Sequence, residues 1–87
     1  MTELAVSTIL DKAWETDSRA LIHVRDRVLF DLSKGTHEWK THESLNVLCV
    51  HTHNQEYYLD ISSITEIDIL YESQKGNTTL SEIFSKQ

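Results

Sequence analysis

The stretch from Ser44 to Tyr71 constrains the fold more than any other part of this 87-residue chain. It reads SLNVLCVHTHNQEYYLDISSITEIDILY and contains three apolar runs joined by very short connections. Short runs that are separated by turn residues are typical of β-strands rather than helices. The stretch therefore predicts three consecutive strands. The first of them has apolar residues on both faces, which indicates a central strand covered on both sides.

The residues before this stretch predict a helix, two more strands and a polar connection. Apolar residues at helical spacing indicate a helix over about residues 2–15, for which Thr2 can serve as the N-cap. Residues 19–33 contain two apolar runs around Arg25-Asp26-Arg27, which predict two strands. Residues 36–43 are polar apart from Trp39 and predict a loop or an edge segment.

The length allows a single domain, which we place at residues 1–72. Five short strands with an N-terminal helix predict a mainly β (α+β) fold, a small antiparallel barrel of the SH3 or Sm-like kind. A single open sheet with the helix on one face is the alternative. Residues 73–87 predict a polar linker followed by a short C-terminal helix or tail, because Thr79 and Glu82 have the spacing of a capping box.

Net charge and cysteine content narrow the class of protein. The formal charge is −6, and no Lys or Arg occurs from residue 41 to residue 74. Direct nucleic-acid binding is therefore not expected, because Lys and Arg supply most of the affinity for phosphates. The single cysteine, Cys49, argues against a small secreted disulfide-bonded domain. With no signal peptide and no long apolar run, the sequence predicts a cytoplasmic protein without a membrane segment.

The acidic residues of the last two strands are the candidate binding residues. They lie on what the pattern predicts to be adjacent strands of one hairpin unit, so that several of them form a negative patch. An exposed aromatic side chain would anchor the partner, although a cap on the barrel end is the more frequent role for an isolated Trp such as Trp39. A solvated face is the alternative interpretation of the acids. The candidate set is Glu56, Tyr58, Asp60, Glu66, Asp68 and Trp39.

The sequence predicts neither an enzyme nor a bound cofactor or metal. His51 and His53 are the candidate zinc ligands, because alternate residues of a strand share a face, but no established ligand motif supports them. Exposed histidines at a strand end are the alternative. Cys49 lies in the most apolar run of the chain, where a thiol is inert. The chain has only two glycines, and no glycine-rich loop is present.

The ending EYYLDISSITEIDIL resembles the last hairpin and closing strand of Sm-like proteins. The N-terminal helix, the short first hairpin and the acidic balance are similar to the Rof family. Rof proteins are Sm-like proteins that inhibit the termination factor Rho by occupying its RNA-binding surface. Two features depart from these patterns. Asp26-Arg27 replaces the Asp-Gly that is usual between the first two Sm-like strands, and the aromatic and acidic helix start of Rof is absent.

These observations lead to the hypothesis of a small acidic inhibitor or regulator. Its partner would be a basic nucleic-acid-binding protein, such as a transcription termination factor, a polymerase or a nuclease. One alternative is an Sm-like RNA-binding module that uses the basic residues of segment 19–40, with Trp39 stacking on bases. Another is a structural subunit of a homo-oligomer. The sequence is compatible with a monomer or a small homo-oligomer.

Overall fold

The structure is a computed structural model, and it describes residues 1–71. The chain begins with helix α1 (Glu3–Glu15), followed by strands β1 (Arg19–Val24), β2 (Arg27–Leu32) and β3 (Glu38–His42). A 3₁₀ turn (Glu43–Leu45) leads to β4 (Val47–His51) and β5 (Glu56–Asp60). A second 3₁₀ turn (Ile61–Ser63) leads to β6 (Ile64–Leu70). The predicted C-terminal helix and its linker lie outside the described residues.

The strands form two antiparallel three-stranded sheets. Sheet 1 has the order β2-β1-β6, and sheet 2 has the order β3-β4-β5. Within residues 1–71 these sheets do not close into the single five-stranded barrel that the sequence predicted. The described fold is nevertheless mainly β with an N-terminal helix, as expected.

The structure has one strand more than the five predicted from the sequence. This additional strand is β3, in a segment for which the sequence pattern predicts a loop or an edge segment. It pairs with β4 over its whole length, from Glu38 opposite His51 to His42 opposite Val47. The alternation of apolar and polar residues that indicates a strand is weak here, because β3 is an edge strand with one large apolar side chain, Trp39. The prediction of two strands within residues 19–33 is confirmed, and the turn between them places Arg25 at a φ of 61°.

Helix α1 covers the sheets and completes the core. Thr2 caps it as predicted, because the Thr2 side chain accepts a hydrogen bond from Ala5 N at 3.1 Å. The helix packs against β1, β6 and β3, and Thr41 of β3 donates a hydrogen bond to Glu3. The buried core combines one face of the helix with residues from both sheets: Val6, Leu10, Ala13, Ala20, Ile22, Leu32, Leu48, Val50, Ile61, Ile64 and Ile67.

No helix within residues 1–71 has the length and apolar character needed to cross a lipid bilayer.

Candidate functional site

Strand β5 presents three of the candidate residues on one face. Successive side chains of a strand point to opposite faces, so Glu56, Tyr58 and Asp60 share a face while Leu59 lies on the other. Leu59 packs against the core, and the three candidates are exposed. We call Glu56, Tyr58 and Asp60 the β5 acidic face.

Tyr58 is held in place by its neighbour on this face. Its hydroxyl donates a hydrogen bond to Glu56 Oε1 at 2.6 Å, although the residue is 66% exposed. This hydrogen bond, together with the charge of Glu56, raises the pKa of Tyr58 to about 12, because a phenolate beside the carboxylate is disfavoured. Cys49, which is only 2% exposed, places its Sγ 3.9 Å from the same oxygen of Glu56. The aromatic ring is thus fixed to an acidic side chain in a mostly exposed position.

Asp60 ends the β5 acidic face and also caps the turn that follows. Its carboxylate accepts hydrogen bonds from Ser62 N at 3.0 Å and Ser62 Oγ at 2.7 Å. These bonds lower the pKa of Asp60, because they stabilise the ionised form. Asp60 therefore contributes a negative charge at neutral pH and also organises the link between the two sheets.

The other two candidate acids, Glu66 and Asp68, lie on β6 in sheet 1. Glu66 is directly opposite His23 of β1, and His23 Nε2 lies 3.0 Å from Asp68 Oδ2. A hydrogen bond with Asp68 and the negative charge of Asp68 both raise the pKa of Glu66. We call these three residues the His23 cluster.

The predicted single acidic patch is thus divided between two sheets. The sequence pattern predicts these acids on adjacent strands of one hairpin unit, and this prediction is wrong. After the Ile61–Ser63 turn the chain leaves sheet 2 and pairs with β1, so β5 and β6 are not hydrogen-bonded to each other. Glu56 and Asp60 remain together, and so do Glu66 and Asp68, but the two pairs belong to separate sheet surfaces.

Trp39 packs beside the helix and does not join the β5 acidic face. Its ring makes an edge-to-face contact with Trp14 of α1, with centroids 6.3 Å apart and an interplanar angle of 84°. It pairs with Val50, and both residues contribute to the core side of sheet 2. Trp39 therefore packs between the helix and the core side of sheet 2 and is not placed on the β5 acidic face.

The histidine pair that was considered for zinc is not on one strand face. Strand β4 ends at His51, so His53 lies in the following turn. His51 Nε2 is 3.2 Å from Glu38 Oε1 on the neighbouring strand. Among residues 1–71, the group of three potential metal ligands whose ligand atoms lie close together is the His23 cluster. The pairing of β1 with β6 brings these residues together across more than 40 positions, which a local pattern cannot reveal.

A groove of about 480 Å³, lined by apolar side chains and also by Asp31, His37 and Thr52, adjoins the β5 acidic face. It lies between β2 and β5, each of which is an edge strand of its sheet in the described part of the chain. Phe30 and Tyr57 meet there edge to face, with centroids 5.3 Å apart. Leu29 and Tyr58 also line the groove, and both are more than half exposed. Acidic and apolar exposed side chains therefore occur side by side.

Comparisons of the chain with protein-family models, with curated proteins and with solved structures gave no match.

Proposed function

We propose that this chain is a small acidic protein that binds a basic, nucleic-acid-handling surface of a partner protein and blocks it. The β5 acidic face is the proposed contact surface. The observation that carries the proposal is Tyr58, an exposed aromatic ring that donates a 2.6 Å hydrogen bond to Glu56 and lines a groove with both apolar and polar side chains. Aromatic anchors surrounded by polar groups are typical of the residues that dominate binding energy at interfaces.

The charge distribution supports a basic partner. Residues 41–71 contain five acidic residues and no Lys or Arg. An acidic surface of this kind accelerates association with a basic surface, and added salt weakens the attraction. A surface that binds RNA or DNA is basic for the same physical reason, so an acidic protein can compete with nucleic acid for it.

The fold supports a first partner to test. Strand β6 pairs with β1, which is the pairing that we propose for an Sm-like closing strand. We propose that the two sheets are the halves of an Sm-like arrangement, which makes the resemblance to the Rof family relevant. On this resemblance, the termination factor Rho is the partner to test first.

The test is capture of partners by three tagged forms of the protein: wild type, Glu56→Lys/Tyr58→Ala, and Glu66→Lys/Asp68→Lys. The first variant alters the β5 acidic face and leaves the Asp60 cap in place. The second makes two charge reversals on the other sheet, which change the net charge more than the single reversal in the first variant does, and serves as the control for net charge. We expect wild type and the control to capture the same basic protein after nuclease treatment, with loss at about 0.5 M salt, where the Debye length is a few ångströms.

Two outcomes would contradict the proposal. Equal capture by wild type and Glu56→Lys/Tyr58→Ala would show that the β5 acidic face is not the contact surface. Partners that disappear after nuclease treatment would favour the RNA-binding alternative, in which the exposed Arg25 and Arg27 of the β1–β2 turn contact phosphates. In that case, Arg25→Ala/Arg27→Ala should abolish a low-salt gel shift with single-stranded RNA.

A further inference from the structure

The His23 cluster consists of three potential metal ligands on two hydrogen-bonded strands. His23 belongs to β1, and Glu66 and Asp68 belong to β6. One ligand atom from each residue can be chosen so that all three lie within 4.8 Å of one another. The imidazole nitrogen distinguishes this group from an ordinary pair of surface carboxylates, because it provides a strong ligand for transition-metal ions.

The sheet fixes the backbone positions of all three ligands. His23 and Glu66 are direct cross-strand partners, and Glu66 and Asp68 are alternate residues of one strand and share its face. His23 Nε2 already lies 3.0 Å from Asp68 Oδ2. Around a tetrahedral zinc ion with bonds of about 2.0–2.2 Å, neighbouring ligand atoms are about 3.3 Å apart. The most distant pair must therefore approach by at most about 1.5 Å. Glu66 is exposed, so rotation of its side chain can provide this change.

The charges at the cluster also favour a cation. Glu66 and Asp68 place carboxylate oxygens near each other, and their negative charges repel each other. A divalent ion between them would remove the repulsion. The imidazole of His23 would bind the ion through Nε2, the nitrogen that now faces Asp68.

We propose that His23, Glu66 and Asp68 form a binding site for a divalent transition-metal ion, with Zn²⁺ as the best fit. One nitrogen and two carboxylate oxygens suit zinc, whereas Mg²⁺ and Ca²⁺ prefer oxygen ligands alone. Three protein ligands leave one tetrahedral position for water or for a donor from another molecule. This proposal does not depend on the proposed partner-binding function, since the β5 acidic face lies on the other sheet.

The experiment is calorimetric titration of Zn²⁺ into the full chain at neutral pH, first without Mg²⁺ and then in the presence of excess Mg²⁺. We expect saturable binding of one ion that excess Mg²⁺ does not displace. His23→Gln, Glu66→Gln and Asp68→Asn should each weaken binding by about tenfold or more, because each removes a metal ligand. His51→Gln is the matched control, since His51 also lies beside a carboxylate, and it should leave the affinity unchanged.

Two further measurements keep the test decisive if a variant is poorly folded. In wild type, the first equivalent of Zn²⁺ should shift the imidazole resonances of His23 in NMR spectra before those of the other histidines. Zn²⁺ should also raise the thermal unfolding midpoint of wild type but not that of His23→Gln, because a ligand that binds the folded state stabilises it. Absence of saturable binding, an unchanged affinity in His23→Gln, or loss of binding in His51→Gln would overturn the proposal.

Discussion

Asp60 shows how one side chain can contribute both to a surface and to the fold. Its carboxylate lies on the β5 acidic face and accepts two hydrogen bonds from Ser62. Asp31 is a second acid of this kind, since a hydrogen bond from Arg19 lowers its pKa. For both residues the folded state favours the ionised form more than the unfolded state does. Their stabilising contribution is therefore present above the ordinary pKa of 3.8 and is lost as the pH falls through the lowered folded values.

We predict that acid unfolding depends in part on these two carboxylates. The urea midpoint of wild type should fall as the pH is lowered from about 5 to about 2, and Asp60→Asn should show a weaker dependence over that range. Asp60→Asn should also be less stable than wild type near neutral pH, because it loses a charged acceptor. Ser62→Ala keeps the backbone donor. It should also weaken the pH dependence of the urea midpoint, but by less than Asp60→Asn does. A profile for Asp60→Asn parallel to that of wild type would contradict this account.

The hydrogen bond between Tyr58 and Glu56 gives a second prediction at the scale of single residues. If the Glu56 carboxylate raises the pKa of Tyr58, Glu56→Gln should move the titration of Tyr58 from about 12 back toward the ordinary value of 10.0. The ultraviolet absorbance of tyrosinate measures this change, and subtraction of the curve for Tyr58→Phe isolates Tyr58 from the other tyrosines. No difference between wild type and Glu56→Gln would show that the two side chains are not paired in solution.

At the scale of elements, helix α1 was the easiest to predict. Its apolar residues repeat with helical spacing, and the N-cap precedes them directly, so local information was sufficient. Strand β3 agrees with the edge-segment alternative for residues 36–43. The sequence could not separate this alternative from a loop, because the inward side of β3 carries only Trp39 and Thr41, which is too little apolar character for a strand signal. The separation of β5 and β6 could not be predicted either. It depends on the long-range pairing of β6 with β1, and a local pattern contains no information about that partner.

Helix α1 should be held by its buried face, because a helix of 13 residues is marginal by itself in water. Leu10 is completely buried, whereas Leu4 on the same helix is 73% exposed. We predict that Leu10→Ala lowers the free energy of unfolding by about 2–5 kcal/mol. Leu4→Ala should change it by about 0.5 kcal/mol or less. Chemical denaturation followed by circular dichroism measures both, and equal effects of the two substitutions would contradict the packing of this helix.

At the scale of the whole molecule, the two sheets and the helix within residues 1–71 enclose a single core and divide the candidate acidic residues between two surfaces. The net charge and its concentration after residue 40 were evident from the sequence, as were the candidate residues. Their separation into the β5 acidic face and the His23 cluster was not, because it follows from strand pairing. The two surfaces have different chemistry: one combines acids with an exposed aromatic ring, and the other combines acids with an imidazole.

The central claim is that the β5 acidic face competes with nucleic acid for a basic surface. The most direct test measures fluorescence anisotropy of labelled single-stranded RNA bound to purified Rho, or to another partner identified by capture, during titration with this protein. Wild type and Glu66→Lys/Asp68→Lys should displace the RNA, and Glu56→Lys/Tyr58→Ala should fail to do so. Formation of a ternary complex, in which partner and RNA stay bound while this protein binds as well, would contradict the claim.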